Sequence, residues 1–209
     1  MTTFRQLWKN EYFQTAVTIV LVILVVLGIW YGSQMVLGTE YPALAVASGS
    51  MCLEPGPNCD GWSHPFARTL HVGDLIIVQG VAPEEINAAP YPTGTIIVFH
   101  QPGSGELIVH RAIAEHTTNN VTYFTTKGDG NSGADGTAVP ADSVVGRVVL
   151  RIPWIGHLAL FMRNSAGIFV IVILIIVLVI VEFLIPAFSK KKPEITEEKP
   201  QAPPSEPSI

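Results

Sequence analysis

Two serines flank a glycine in segment 47–51, which reads Ala-Ser-Gly-Ser-Met. A glycine in such a place permits backbone conformations that other residues avoid, and it lets a second stretch of chain come close. A serine hydroxyl there could act as a nucleophile if a neighbouring base removed its proton. Because the same composition is typical of a flexible turn, Ser48 and Ser50 become candidates only together with a base.

Histidine and lysine are the usual bases for such a hydroxyl. His110 stands out because it interrupts an apolar strand pattern, Leu-Ile-Val-His-Arg-Ala-Ile, at residues 107–113. On spacing alone, a half-exposed strand histidine beside a surface Arg111 is the favoured alternative. Lys127 is the only lysine between the two long apolar runs of the chain, whereas all six histidines lie there: His64, His71, His100, His110, His116 and His157.

A histidine base needs an acceptor that orients its ring, commonly a carboxylate. Segment 126–135, Thr-Lys-Gly-Asp-Gly-Asn-Ser-Gly-Ala-Asp, supplies Asp129 and Asp135 in a glycine-rich loop, and spacing alone leaves the choice between them open. Gly-Asp-Gly-Asn is otherwise a strong turn signal with some likeness to a calcium loop. The EF-hand pattern fails because no glutamate follows at the required position, so no metal is predicted.

The elements that must position these residues are short and β-rich. Between residues 39 and 164, apolar runs alternate with Gly, Pro, Asn and Asp, a pattern typical of an all-β domain. The predicted strands are 43–47, 74–79, 95–100, 107–114, 121–126 and 144–150. Strands this short and numerous predict a small, partly open barrel or sandwich.

Two long apolar runs enclose this domain and predict two transmembrane helices. The composition is 48% hydrophobic and only 14% charged. Segments 13–38 and 165–188 each exceed the length of about 20 residues that a spanning helix needs. Both are apolar around the whole circumference, whereas a core helix of a soluble protein keeps a polar face. The first run is longer than the apolar part of a cleavable signal peptide, so we interpret it as a retained anchor.

Positive charges near the ends of the apolar runs predict the orientation. Arg5 and Lys9 precede the first run and three lysines at 190–192 follow the second, so segments 1–12 and 189–209 are expected in the cytoplasm. The tail is rich in Pro, Glu and Ser, which predicts disorder. The domain at 39–164 is then extracytoplasmic. A net charge of -5 and the lack of a basic stripe give no indication of nucleic-acid binding.

Two cysteines, Cys52 and Cys59, lie in the external segment. They could close a small loop in an oxidising compartment. Free thiols or a metal pair are the alternatives, although a structural zinc site needs four ligands.

In their order along the chain, these segments resemble the type I signal peptidase family, and in particular its archaeal and endoplasmic-reticulum branch. The matching motifs are segment 45–51 with its Ser-Gly-Ser-Met, Val-Gly-Asp-Leu-Ile-Ile-Val at 72–78, segment 94–99, Ile-Val-His-Arg at 108–111, segment 126–135 and Val-Gly-Arg-Val at 145–148. The resemblance implies a membrane-bound serine endopeptidase that removes signal peptides from secreted preproteins after small residues. It implies preproteins, the lipid bilayer and the translocon as partners, and no metal or organic cofactor.

The resemblance also implies a role for each candidate. Ser50 matches the nucleophile, Ser48 the position that helps hold the oxyanion, and His110 the base, where the bacterial branch has lysine. The acidic partner of that branch corresponds to Asp135, with Asp129 in support. The chain departs from the family after Met51, where Cys52 begins an insertion that runs to residue 68.

Two other functions fit the same sequence. One is a membrane-anchored β domain that binds a ligand without chemistry, and the other is a catalytically silent subunit of a processing complex. Both predict that Ser50 and His110 lie out of reach of each other, whereas an enzyme requires an approach near 3 Å.

Overall fold

The computed structural model describes residues 11–53, Cys59, Trp62 and residues 69–189. The chain forms two compact units, Met1–Arg163 and Asn164–Ile209. In the described residues, the first unit holds helix α1, seven β-strands and helix α2, and the second unit holds helix α3. The helices are α1 (Glu11–Leu37), α2 (Ile155–Arg163) and α3 (Ser165–Ser189). The strands are β1 (Ala43–Ala45), β2 (Leu75–Gln79), β3 (Ile96–His100), β4 (Leu107–Thr118), β5 (Val121–Lys127), β6 (Val139–Pro140) and β7 (Val144–Ile152).

Helix α1 is long and apolar enough to cross a membrane. Its segment Phe13–Leu37 has 25 residues and a mean hydropathy of 2.5, and none of its most apolar stretch is buried. At about 1.5 Å per residue, a helix of this length exceeds the roughly 30 Å of a bilayer core. Among the described helices, α3 meets the same criteria only when it is taken together with α2. The first predicted span therefore meets them alone, and the second stays a prediction.

The seven strands form one sheet, in the order β1-β2-β7-β3-β4-β5-β6, and every neighbouring pair is antiparallel. All six predicted strands are present. The observed bounds of most strands differ from the predicted ones by one or two residues. The larger differences are that β4 continues to Thr118 and that the sequence pattern does not predict the two-residue strand β6. Residues 115–118 are polar on both faces, and a proline ends β6, so neither segment carries an apolar alternation that would predict a strand.

Apolar side chains alternate in direction along the strands and form two clusters on opposite faces of the sheet. Ile97 and Phe99 of β3 pack with Ala112 and Phe124 in one cluster, whereas Val98, between them in sequence, packs in the other. This is the two-residue period of a strand that is buried on both faces. Each fully buried side chain of this size contributes roughly 1.5–3 kcal/mol to the stability of the sheet.

A buried ion pair explains the Val-Gly-Asp motif at 72–74. The carboxylate of Asp74 is fully buried and accepts a hydrogen bond of 2.5 Å from Nε of Arg151, in β7. The same oxygen accepts a bond of 2.7 Å from the backbone N–H of His71. Gly73 has a φ of +85°, and a Cβ there would overlap the ring of His157 in α2. The motif thus joins β2 to β7 and lets α2 pack against the sheet.

Candidate active site

Ser50, His110 and Asp135 lie in one hydrogen-bonded row. His110 occupies the middle of β4, and its Nε2 atom lies 3.0 Å from Oγ of Ser50. Its Nδ1 atom lies 2.6 Å from Oδ2 of Asp135. His110 is only 8% exposed, so the ring is held inside the fold with one nitrogen toward each partner. This arrangement can pass a proton from a hydroxyl to an imidazole whose ring a carboxylate orients.

Thr126, as well as His110, holds Asp135 in place. Its Oδ2 atom also accepts a hydrogen bond of 2.6 Å from the hydroxyl of Thr126, and its backbone N–H donates to the carbonyl of the same threonine. Thr126 pairs with Ala112 across β4 and β5, which places its side chain on the same face as that of His110. The strand register therefore brings histidine, threonine and aspartate together.

Arg111 and Asp129 form a separate ion pair on the opposite face of β4. The guanidinium donates to both carboxylate oxygens, from Nε at 2.7 Å and from Nη2 at 2.5 Å. Both side chains are almost completely buried, at 5% and 2% exposure. A further donor of Arg111 bonds the carbonyl of Gly94. The alternative of a half-exposed His110 beside a surface Arg111 is thus wrong, and Asp129 contacts Arg111 rather than the imidazole.

Two glycines let the loop after β5 lie directly against the serine segment. The backbone N–H of Gly130 donates to the carbonyl of Ser50 at 2.9 Å. A Cβ on Gly130 would overlap the carbonyl of Cys52, and one on Gly128 would lie 2.5 Å from the Ser50 carbonyl and 3.0 Å from Nε2 of His110. The Gly-Asp-Gly-Asn sequence is therefore required for close packing beside the serine, and not only for a turn.

Ser48 lies on the same side of its loop as Ser50, with the two hydroxyl oxygens 3.3 Å apart. The loop is tight, because the backbone N–H of Cys52 donates to the carbonyl of Gly49 at 2.9 Å. A second hydroxyl so near the first can contribute a hydrogen bond to an oxygen that gains charge beside Ser50.

Cys52 and Cys59 are joined, with the two sulfur atoms 2.10 Å apart. The bond lies against Gly49, since a Cβ on this glycine would meet Cβ of Cys59 at 3.2 Å. The carbonyl of Cys59 accepts a hydrogen bond of 3.0 Å from the backbone N–H of Val72. The disulfide thus connects the serine loop to the segment that carries the buried Asp74.

Among the described residues, no other candidate base contacts the hydroxyl of Ser50. Lys127 is paired with Arg111 in the register and so lies on the other face of the sheet from His110. The rings of His116 and His157 stack on aromatic neighbours, His100 contacts the carbonyl of Gly105, and His71 contacts the carbonyl of Thr69. His64 lies outside the described residues. Within the described ranges, no group of three or more His, Cys, Asp or Glu side chains could hold a metal ion.

A cleft of about 540 Å³ opens beside Ser50. Its lining includes segments 44–48 and 105–109, which we refer to as its two walls, and also Ser50 and His110. Strand β1 lies at the end of the sheet order, and β5 pairs with β4 only from Arg111 onward. Among the described strands, both walls therefore have a backbone edge without a neighbour, to which an extended peptide can add.

The sheet must curve strongly to form this site. Strands β1 and β4 are separated by β2, β7 and β3, so in a flat sheet they would lie about 19 Å apart, at roughly 4.8 Å per neighbour. Ser50, five residues after β1, nevertheless reaches the middle of β4 within 3.0 Å. Val46 and Val98 also belong to one buried cluster. The curvature that joins these parts brings the serine to the histidine.

Known proteins similar to this chain are catalytic subunits of signal peptidase complexes. It is 29% identical to the human signal peptidase complex catalytic subunit SEC11C, over 75% of each chain. The mouse SEC11C is 29% identical over 77% of each chain. The sec11 subunit of Dictyostelium discoideum is 28% identical over 77% of this chain and 83% of its own length. No protein-family model matches the chain.

These similarities cover most of the chain, including the serine loop, both ion pairs and the strands that hold His110. They confirm the resemblance to the endoplasmic-reticulum branch that the motifs predict. The chain is thus a homologue of the SEC11 catalytic subunits, which represent the archaeal and endoplasmic-reticulum branch of the type I signal peptidases.

Proposed function

We propose that this chain is an integral-membrane serine endopeptidase that removes signal peptides from secreted preproteins, with Ser50 as nucleophile, His110 as base and Asp135 as the residue that orients the base. The row of contacts from Ser50 through His110 to Asp135 is the observation that carries the proposal. The sequence similarity to signal peptidase catalytic subunits supports secreted preproteins as the substrate class.

The reaction proceeds through an acyl-enzyme. His110 takes the proton of the Ser50 hydroxyl as Oγ attacks the scissile carbonyl, and the protonated imidazole then gives this proton to the departing amine. A water molecule next attacks the ester in the same way, with His110 again as base. Asp135 accepts a hydrogen bond from the Nδ1–H group throughout, which fixes the tautomer and stabilises the charged ring.

Ser48 assists the step in which charge develops on the carbonyl oxygen. Its hydroxyl lies 3.3 Å from that of Ser50 and can donate to the oxyanion together with backbone N–H groups of the loop. Arg111 and Asp129 act indirectly, since their ion pair holds the base of the 128–131 loop, whose glycine N–H bonds the Ser50 carbonyl. Asp129 therefore supports the site without contact with the imidazole.

The substrate lies in the cleft as an extended strand between the free edges of β1 and β4. The cleft lining includes the apolar side chains of Ala45, Ala47 and Leu107. This apolar lining is compatible with the small side chains that precede the cleavage site in the proposed substrates.

The membrane arrangement has two spanning helices and an external domain. Helix α3 has 25 residues and so a length of about 37 Å, enough to cross a bilayer. The basic residues before α1 and after α3 favour a cytoplasmic location for both ends. The disulfide between Cys52 and Cys59 agrees with an oxidising compartment for the domain that lies between α1 and α3 in the sequence.

The direct test is Ser50→Ala in the full-length chain, reconstituted in liposomes with a preprotein that has small residues before its cleavage site. We expect cleavage to fall to the background of liposomes alone, because no nucleophile is left. Ser132→Ala is the matched control, since Ser132 is an exposed serine in the loop that precedes Asp135, and it should cleave at the wild-type rate.

Normal cleavage by Ser50→Ala would exclude Ser50 as the nucleophile. Absence of cleavage by the wild-type chain, under conditions in which a known signal peptidase cuts the same preprotein, would favour the silent-subunit alternative. The distance of 3.0 Å between Ser50 and His110 favours the enzyme over both non-catalytic alternatives.

A further inference from the structure

The hairpin of β4 and β5 extends beyond the body of the sheet. Every residue from Ala114 to Val121 is exposed. Because side chains alternate between the faces of a strand, unbroken exposure means that both faces of this part of the hairpin contact solvent. We refer to residues 114–122 as the arm.

The tip of the arm is a two-residue turn formed by Asn119 and Asn120. Their φ angles are 51° and 65°, and the flanking residues Thr118 and Val121 are paired in the register. Left-handed backbone at both central positions defines a type I′ turn, which asparagine tolerates better than most residues. Both asparagines are exposed to solvent.

Asn120 begins the sequence Asn-Val-Thr, which is the only Asn-x-Ser/Thr sequence in the chain. This pattern, with any residue except proline in the middle, is the acceptor for N-linked glycosylation in a surface loop. Within the described part of the chain, the carboxamide of Asn120 makes no hydrogen bond. Its nitrogen is therefore available to a large external enzyme.

We propose that Asn120 is an N-glycosylation site. The carboxamide nitrogen displaces a polyprenyl diphosphate from the anomeric carbon of a lipid-linked oligosaccharide. The new bond joins this carbon to nitrogen, the anomeric carbon–oxygen bond breaks, and an amide proton is lost. The proposal depends on the external location of the domain that the proposed function requires, because donor and transferase act on that side of the membrane.

The site is remote from the proposed chemistry. Thr118 lies eight residues beyond His110 on β4, or about 26 Å at roughly 3.3 Å per residue. A glycan at the tip therefore leaves the cleft open, and variants at the tip should cleave preproteins at the wild-type rate.

The turn geometry supplies two matched variants. Asn120→Gly creates Asn-Gly, the preferred sequence of a type I′ turn, so the hairpin keeps its fold and loses only the acceptor. Asn119→Gly also tolerates the left-handed backbone, and it keeps the Asn-Val-Thr sequence intact. Each chain is translated in the presence of endoplasmic-reticulum vesicles that contain the transferase and its donor, and is then treated with external protease.

We expect the wild type and Asn119→Gly to show one upward step in apparent mass that peptide-N-glycosidase removes, and Asn120→Gly to show none. A wild-type domain that is protected from protease but unmodified would overturn the proposal, as would a step that persists in Asn120→Gly. A domain that the external protease digests would overturn both the modification and the proposed orientation. Cleavage of a preprotein, measured in parallel, tests the proposed peptidase independently of the glycan.

Discussion

Replacement of Asp135 by asparagine separates the orientation of the base from the stability of the loop. In the wild type, Oδ2 of Asp135 accepts hydrogen bonds of 2.6 Å from both His110 and Thr126. The asparagine side chain keeps the size of the aspartate but loses its charge. An amide in this place can favour the wrong imidazole tautomer and no longer stabilises the charged ring. In a triad of this type the same change lowers kcat by about 10⁴, equivalent to about 5 kcal/mol of transition-state stabilisation.

Asp129→Asn is the matched comparison because it makes the same chemical change six residues earlier in the same loop, at a carboxylate that bonds Arg111 and not the imidazole. It leaves the guanidinium of Arg111, which is 5% exposed, without a charged partner. Loss of one member of a buried pair costs about 3–5 kcal/mol, which corresponds to a melting temperature lower by on the order of 10 °C. We therefore expect Asp129→Asn to lose stability more than turnover per folded molecule.

The assay measures kcat for preprotein cleavage and the melting temperature of each full-length variant in the same detergent. Asp135→Asn should keep its melting temperature within a few degrees, since its side chain is 26% exposed and water can replace part of its bonding. The reasoning is refuted if Asp135→Asn cleaves normally while Asp129→Asn is fully folded and inactive. The two aspartates would then exchange their roles.

Three further changes test neighbouring parts of the site. His110→Ala should be nearly inactive in the same cleavage assay, whereas Lys127→Ala, on the opposite face of the sheet, should retain most activity; the reverse result would indicate a Ser-Lys enzyme. Ser48→Ala should lower kcat by about 10²–10³ with little change in KM if its hydroxyl contacts the oxyanion, and an unchanged kcat would exclude that role. Joint replacement of Cys52 and Cys59 by alanine should lower the free energy of unfolding by about 2 kcal/mol, because the bond closes a loop with a sequence separation of 7; unchanged stability in denaturant titrations would contradict a bond in the purified protein.

Much of the fold follows from local patterns in the sequence. Strands β2, β3 and β7 contain runs of Ile and Val bounded by turn residues, so their approximate bounds could be predicted without a structure. The arm could not, because residues 115–118 are polar and exposed on both faces. They form a strand only because the turn at Asn119 and Asn120 holds them against β5.

The site was less predictable than the strands. Spacing left Asp129 and Asp135 equivalent, since both belong to one loop after the same strand. The two aspartates differ in the face of the sheet on which their partners lie. Asp129 bonds Arg111 on one face of β4, and Asp135 bonds His110 on the other. The alternation of His110 and Arg111 along β4 could have indicated two different acidic partners. The ion pair between Asp74 and Arg151 had no such signal, because 77 residues separate its members.

The strong curvature of the sheet also determines when proteolysis can begin. Ser50 and His110 are 60 residues apart in the chain, and strands β2, β7 and β3 lie between β1 and β4 in the sheet that brings them together. Contacts between such distant segments form late, since loop closure costs entropy before any contact offsets it. A newly made chain that has inserted in the membrane but has not closed its sheet therefore has a serine without a base. If Ser50 and His110 act as proposed, the chain can cleave a preprotein only after β7 has been made and has paired with β2 and β3.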